Sequence, residues 1–371
     1  MAAVRTVVIS DLHLGSGSGT DVLRKKHIRE LLFERLEDVE RLVLLGDVVE
    51  LRDRSVENTL DAVKPIMAEF NEVMAGGEIV FSLGNHDHQL DPWPQRRRLL
   101  TDPEPLALEQ IRQPEPDGPL ARLTEALPDV DTKLAYPGLW LRDDVFALHG
   151  HYLDLHSSVP SFENIGAAAL QKGLGIDPDN PEQGPTDPAT YEDVLAPLYA
   201  FSFAFAQADR NKQMGPRASA DMMTKIASSR PRALLFGGVA IPAAIAFLNR
   251  LGIGTFSSDL RANQLALAGV QAMGAVTARL GIDAKHVIYG HTHRSGPHPS
   301  DGDIPWNIDG GPRLINPGSW VFEEGTFGTP DDPDSPWYPG RLVELDAEGP
   351  PRLVQVLDSS VDVPRPSESI D

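Results

Sequence analysis

The 371-residue sequence contains no cysteine. That excludes disulfides, thiolate metal sites and cysteine nucleophiles together, and it fits a reducing cytoplasm. Long apolar runs are also lacking. The most apolar uncharged stretch, Ala233 to Leu248, is shorter than the ~20 residues a bilayer span needs, and Gly237, Gly238 and Pro242 interrupt it. Positive charge is scarce, with 33 Lys and Arg against 54 Asp and Glu and a formal net charge of −21. No nucleic-acid partner is therefore expected, because neutralising phosphates takes clustered cations. The one basic cluster, Arg96-Arg97-Arg98, is too short to change this and reads as a solvated helix start. No leader is expected, since Val4 to Ser10 already reads as a core strand. The expected location is cytoplasmic, with peripheral contact at the inner membrane face as a further option.

What is present is an alternation of strands and helices. Val4–Ser10, Arg41–Leu45 and Glu78–Leu83 read as buried strands, with helices over Asp21–Glu37 and Val56–Ala75 between them. This pattern predicts right-handed crossovers and a largely parallel sheet flanked by helices. Ligands in such sheets gather beyond the carboxyl ends of the strands. Asp91 to Gly118, rich in Pro, Asp and Glu, reads as loop with short helical pieces. Strands return at Thr132–Tyr136, Leu139–Arg142 and Val145–Leu148, and again at His286–Tyr289, Arg313–Asn316, Arg341–Glu344 and Leu353–Val356. Between the two sets lies Ala-rich helical sequence. The expected organisation is thus an α/β core over 1–151 and 285–357, a helical insertion or cap over 152–284, and a disordered acidic tail over 358–371.

Five short patches follow strand-like runs: Asp11-Leu12-His13, Gly46-Asp47, Gly84-Asn85-His86-Asp87, His149-Gly150-His151 and Gly290-His291-Thr292-His293. Asp11 and His13, two apart on an extended turn, can face the same side. Asp47 follows a glycine that lets backbone approach closely, and its two oxygens can bridge two cations. Asn85 offers a carbonyl oxygen, and His149, His291 and His293 offer imidazoles. An oxygen-and-nitrogen set with no thiolate suits Mn, Fe, Zn, Co or Ni, with manganese the first expectation. Two divalent ions, the two carboxylates and a bridging hydroxide sum to about +1, which holds a phosphate locally despite the acidic chain. Paired metals also activate water and neutralise phosphoryl oxygens during in-line attack, so hydrolysis of a phosphate ester or anhydride is the expected reaction.

The five patches, in this order, resemble the motifs of the calcineurin-like metallophosphoesterase superfamily across the whole α/β core, though not the insertion. The resemblance implies a double β-sandwich flanked by helices (α/β/β/α) carrying a helical insertion. It implies one metal on Asp11, His13, Asp47 and His293 and a second on Asp47, Asn85, His149 and His291, with Asp47 shared. The turn Asn316-Pro317-Gly318-Ser319 is similar to one that follows the last His motif in bacterial members. His86 is implied to face the leaving group as proton donor, with Asp87 fixing its orientation. Independently, an alkoxide leaving group needs a proton, and an imidazole beside a carboxylate can supply it.

Other residues are candidates of lower rank. His151 is placed to touch substrate or to support His149, and Asp154 stands near it. Arg52, Arg54 and Arg294 flank ligand motifs and are candidates for clamping a phosphate, against a reading as structural ion pairs. His27, His88, His156, His286 and His298 belong to no constellation. In the insertion, the apolar stretches Leu195–Ala206 and Ala233–Leu248 read as a cap packed with the helix Leu260–Leu280, or as a lid whose apolar face meets lipid. The expected substrate is a small-molecule or lipid-linked phosphoester, mono- or diester. A narrower resemblance, to the UDP-2,3-diacylglucosamine pyrophosphohydrolases, rests on their helical lid. Those enzymes commonly carry Arg where this chain has His86, and their insertion is shorter. A nuclease is disfavoured by the acidic balance. A non-catalytic scaffold on the same fold is disfavoured by the complete ligand set.

Overall fold

The side chains of each strand alternate between two faces, and each face meets a different core. Val7, Ile9, Leu42 and Leu44 point into one apolar cluster, while Val8, Val43 and Leu45, between them, point into another. These residues belong to β1 (Thr6–Ile9) and β2 (Arg41–Leu45). The computed structural model describes residues 5–159, 161–176, 183–208, 248, 250–251, 256–257, 262–322 and 332–366.

Along this chain follow α1 (Lys26–Leu36), α2 (Val56–Val73), β3 (Glu78–Ser82), α3 (Trp93–Arg98), β4 (Glu109–Arg112), α4 (Pro119–Thr124), β5 (Asp131–Arg142) and β6 (Val145–Leu148). After them come α5 (Phe162–Gly173), α6 (Pro188–Ala208), α7 (Ala262–Arg279), β7 (His286–Tyr289), β8 (Arg313–Ile315), β9 (Arg341–Leu345) and β10 (Arg352–Gln355). The strands hydrogen-bond in the order β10-β9-β1-β2-β3-β5-β6-β7-β8, with β4 beside β5. Parallel pairing joins β1, β2, β3 and the start of β5, and again β6, β7 and β8.

The expected sandwich is this single ladder folded on itself at β5. The first residues of β5, Asp131 to Leu134, pair with β3, and its last, Gly138 to Arg142, pair with β6. The inner cluster joins Val8, Val43 and Val80 of one half to Ala147, Ile288 and Ile315 of the other. The outer face of the first half carries α1, α2 and α4, through Leu32, Met67 and Leu123 among others. The outer face of the second carries α5, α6 and α7, through Ala167, Leu195 and Met273. Four layers result, α/β/β/α.

Several expectations change in detail. The two strands expected over 132–142 are one. The stretch expected to be loop contains β4, whose Glu-Gln-Ile-Arg has no apolar alternation and becomes a strand by pairing with β5. The Arg96–Arg98 cluster ends α3 rather than starting a helix, and Arg97 is buried with its guanidinium on Glu104 O. Of the tail expected to be disordered, residues 358–366 dock instead. Val361 and Val363 pack on the core, and Arg24 Nη2 donates to Arg365 O at 2.7 Å. The apolar stretch Leu195–Ala206 lies in α6, where Leu195 and Tyr199 are buried but Phe201 and Phe205 are exposed. Ala233–Leu248 lies outside the described residues except for Leu248. No helix among the described residues is long and apolar enough to cross a membrane.

One topological point bears on the site. Strands β6 and β7 are parallel neighbours, Val145 beside His286 and Leu148 beside Tyr289. The helical region between them leaves from the carboxyl end of β6 and must return to the amino end of β7. It is therefore a much enlarged crossover, with α7 as its returning helix.

Candidate metal centre

All five patches sit on turns at the carboxyl ends of strands. The turns after β1 and β2 are zipped together, with His13 N donating to Asp47 O at 2.9 Å and Leu14 N to Val48 O at 2.9 Å. Asp11 (φ 55°), His13 (45°), Asp47 (48°), His291 (69°) and His293 (55°) all adopt the left-handed backbone region. Side chains pay roughly 1–3 kcal/mol for such strain, and it persists where function over-determines the conformation. Close approach is also built in. A Cβ on Gly84 would run into the Asp47 carboxylate, and one on Gly290 into Ser10 and Asp11. The last motif is held by the Asn316 turn, whose Nδ2 donates to Gly290 O at 2.9 Å and to Thr292 Oγ1 at 3.0 Å.

These turns gather the seven expected ligands into two groups. Asp11, His13 and His293 form one, and Asp47, His149 and His291 the other. Asp47 Oδ2 lies 3.3 Å from His149 Nε2 and 3.7 Å from His13 Nε2, facing both. Asn85 Oδ1 stands 3.0 Å from His291 Nδ1 in the second group.

The donors fit metal ions. A carbonyl can only accept, so the 2.9 Å contact from His149 Nδ1 to Leu45 O places hydrogen on Nδ1. The other nitrogen, Nε2, is buried and makes no hydrogen bond, which leaves a lone pair for a cation. In the first group, His13 Nε2 and His293 Nε2 face each other at 3.2 Å, and a shared cation satisfies both. Without one, protons take its place. Burial opposes charge on His149, but the Asp47 and Asp11 carboxylates outweigh it and push the imidazole up to about 9. Burial likewise opposes charge on Asp47, but the neighbouring histidines hold it well below the usual carboxylate range.

The surroundings of His86 differ from expectation. Asp87 does not orient it. Fully buried, Asp87 accepts from the backbone N–H of Gly84 at 2.7 Å, Val48 at 2.7 Å and Asp47 at 3.3 Å, so it ties the second patch to the third. The carboxylate beside His86 is Glu50, whose Oε2 lies 2.8 Å from His86 Nδ1 and 3.0 Å from His13 Nδ1. Burial would raise the Glu50 pKa, but the charge of His86 and the hydrogen bond from His13 hold it below the ordinary value. Glu50 was missed in the sequence. Its only signal is an acidic residue three after Asp47 in the otherwise apolar run Val48-Val49-Glu50-Leu51. Asp154 proves to be a partner of His291, with Oδ1 2.8 Å from Nε2, so His291 is held from behind with Nδ1 toward Asn85.

The candidate substrate residues are not brought together. Arg52 is buried and spans Asn85 O at 2.7 Å and Glu163 Oε1 of α5 at 3.1 Å. Arg294 is engaged by Asp301 and lies over the Trp337 ring at 5.1 Å. Arg54 is half-buried, and its carbonyl accepts from Gln207 Nε2 of α6 at 2.8 Å. His151 enters a buried cluster around Glu192 of α6, which receives Tyr152 OH at 2.8 Å and His88 Nε2 at 2.9 Å, and also Tyr136 OH. Burial lowers the His151 pKa to about 4. His88, read as ordinary, is thus part of the tie between the cap and the strand ends.

A cavity of about 310 Å³ opens over the bed. Asp47, Asn85, His86, His291, His293 and Arg294 line it, whereas His151, Arg52 and Arg54 do not.

Residues 4–183 match the family described as calcineurin-like phosphoesterase, a span that includes every expected ligand except His291 and His293. No curated protein matches the chain. Among solved structures, a dimetal phosphatase from Danio rerio is similar over 95% of this chain and 99% of that one, at 13% identity and a TM-score of 0.33.

Proposed function

Taking as premise that the chain belongs to the calcineurin-like phosphoesterase family, a metal-dependent phosphoric ester hydrolase, we propose that it cleaves a phosphoester over a two-metal bed with His86 as proton donor. The observation that supports this best is the division of the ligands into two groups facing one shared carboxylate, Asp47. Asp11, His13, Asp47 and His293 would hold one ion, and Asp47, Asn85, His149 and His291 the other. When bound, such a pair activates water and neutralises charge on the phosphoryl oxygens.

The protein groups supply the rest. His86 lines the cavity, and its Nδ1 is fixed on Glu50, so Nε2 is the nitrogen left to meet a leaving-group oxygen. Glu50 fixes the orientation of the imidazole, and through His13 it ties the donor's position to a metal ligand. Arg52 Nη2 donates to Asn85 O at 2.7 Å and so fixes the backbone of a metal ligand.

With manganese supplied, p-nitrophenyl phosphate and bis-p-nitrophenyl phosphate distinguish monoesterase from diesterase. His86→Ala is expected to retain both metals while lowering turnover about 10²–10⁴-fold, most for alkyl leaving groups. Equal losses on aryl and alkyl esters would refute the donor role. A wild-type protein holding two metals and cleaving neither aryl ester would refute the hydrolase reading.

A further inference from the structure

The cavity walls point to a substrate class, on the premise that the metal bed binds a phosphoryl group. The volume of about 310 Å³ lies at the small end of ligand pockets, ~300–1,000 Å³. Away from the metal ligands the walls are mostly apolar. Leu153 and Val159 come from the chain that leaves β6, Leu265 and Ala266 from α7, and Trp306 and Trp337 from loops on either side of β8.

Charge on those walls is unusual for a site meant to hold several phosphates. Among the described residues, Arg294 is the one Lys or Arg in the lining. Its terminal nitrogens are taken by Asp301 and by Ser295 O at 3.3 Å, its buried Nε makes no hydrogen bond, and the group lies over Trp337. Two carboxylates, Asp154 and Glu163, line the same space. Asp154 is held by His291 at 2.8 Å and Glu163 by Arg52 at 3.1 Å, so each accepts from a positive or hydrogen-bonding partner already. Among the described residues, a second phosphate beyond the metal bed would meet two carboxylates and a single guanidinium already paired with Asp301, a cost that grows in a partly dehydrated pocket. An uncharged hydrocarbon group would meet none of this and would bury apolar surface instead.

We infer that the site selects a phosphoester with a single phosphoryl group whose organic part is uncharged, apolar and small. Nucleoside diphosphate compounds and other pyrophosphates lie outside that class, which argues against the pyrophosphohydrolase resemblance. The specificity lies in the walls, to which Leu265 of α7 contributes an apolar side chain.

The test uses phosphonates, which present a phosphoryl group but are not cleaved. Calorimetry on the full chain loaded with manganese would compare methylphosphonate, hexylphosphonate and hexane-1,6-bisphosphonate, with metal content verified in each sample. Hexylphosphonate should bind at least tenfold tighter than methylphosphonate, since each fully buried methylene contributes up to roughly fourfold. It should also bind at least tenfold tighter than the bisphosphonate. Leu265→Asp should shrink the hexyl-over-methyl ratio to threefold or less. Equal affinity for hexyl and methyl, or a bisphosphonate that binds as tightly as hexylphosphonate, would overturn the inference. Loss of turnover on the p-nitrophenyl esters would instead remove the hydrolase reading while leaving this binding preference legible.

Discussion

The two halves of the folded sheet contribute different chemistry to one centre. From the ends of β1, β2 and β3 come Asp11, His13, Asp47 and Asn85, three of the four with oxygen donors and two of them carboxylates. From the ends of β6 and β7 come His149, His291 and His293, all imidazoles. One half thus supplies the negative charge that balances the ions, and the other supplies neutral nitrogen that favours first-row transition metals. Each group of ligands draws on both halves, so neither half supplies a complete ligand set by itself. Bound ions would clamp the layers together at their open end, and that clamp is a stability term as well as a catalytic one.

The most forceful way to break the comparison is to remove the residue common to both groups. Asp47→Asn should lower metal content, measured by mass spectrometry, from two ions per chain to one or none, and cut turnover by about 10³-fold or more. Stripping the wild type with a chelator should lower its melting temperature, because ligand at a hundredfold excess over its dissociation constant contributes about 2.7 kcal/mol. Asp47→Asn should lose most of that metal-dependent increment. An unchanged shift in the variant would mean that the ions do not join the halves through Asp47.

A finer division comes from the two carboxylates behind the ligands, one from each half. Glu50→Gln should reduce kcat about 10–100-fold even at saturating manganese, since Glu50 orients His86 as well as the ligand His13. Asp154→Asn should instead weaken metal affinity about 10–100-fold, with kcat recovering as manganese is raised, since Asp154 holds His291. Titrating activity against manganese separates the two, and identical metal dependence in both variants would erase the distinction.

The smallest effect is in pH. Metal-free His149 is held protonated up to about 9 by Asp47 and Asp11, so an incoming cation must expel that proton. Apparent manganese affinity should therefore rise with pH between 7 and 9, by at most tenfold per unit, and fall again on acidification. Calorimetry in buffers of different ionisation enthalpy would detect the released proton. Its absence would show that the carboxylates of one half do not charge the imidazoles of the other.

The ligands were legible in the sequence because metal chemistry needs particular residue types at strand ends, and both conditions leave local marks. Strand–helix alternation made the layered α/β arrangement legible for the same reason. What stayed hidden depends on partners far away in the chain. Glu50 looks like an ordinary acid until His13 and His86 are seen on it, and Asp154 acquires meaning only from His291. Asp87, adjacent to His86, invited pairing by proximity, but four buried backbone N–H groups in two turns claim it instead. Neither β4 nor the Glu192 cluster carries a periodicity of its own, since one forms by pairing with β5 and the other by convergence of β5, the β6 turn and α6.

The enlarged crossover between β6 and β7 has a practical meaning for modularity. A domain inserted at a hairpin has adjacent ends and can be cut out with a short splice. Here the chain leaves the carboxyl end of one strand and re-enters at the amino end of its parallel neighbour, so the splice would have to span the strand length that α7 now travels. The exit joint of the cap, near Ser157, lies in the cavity wall itself, as does Leu265 in the first turns of α7. Any recombination that replaces the cap therefore rewrites the rim of the site at its seams, and recognition of substrate cannot be transplanted without also redrawing the border it shares with the metal bed.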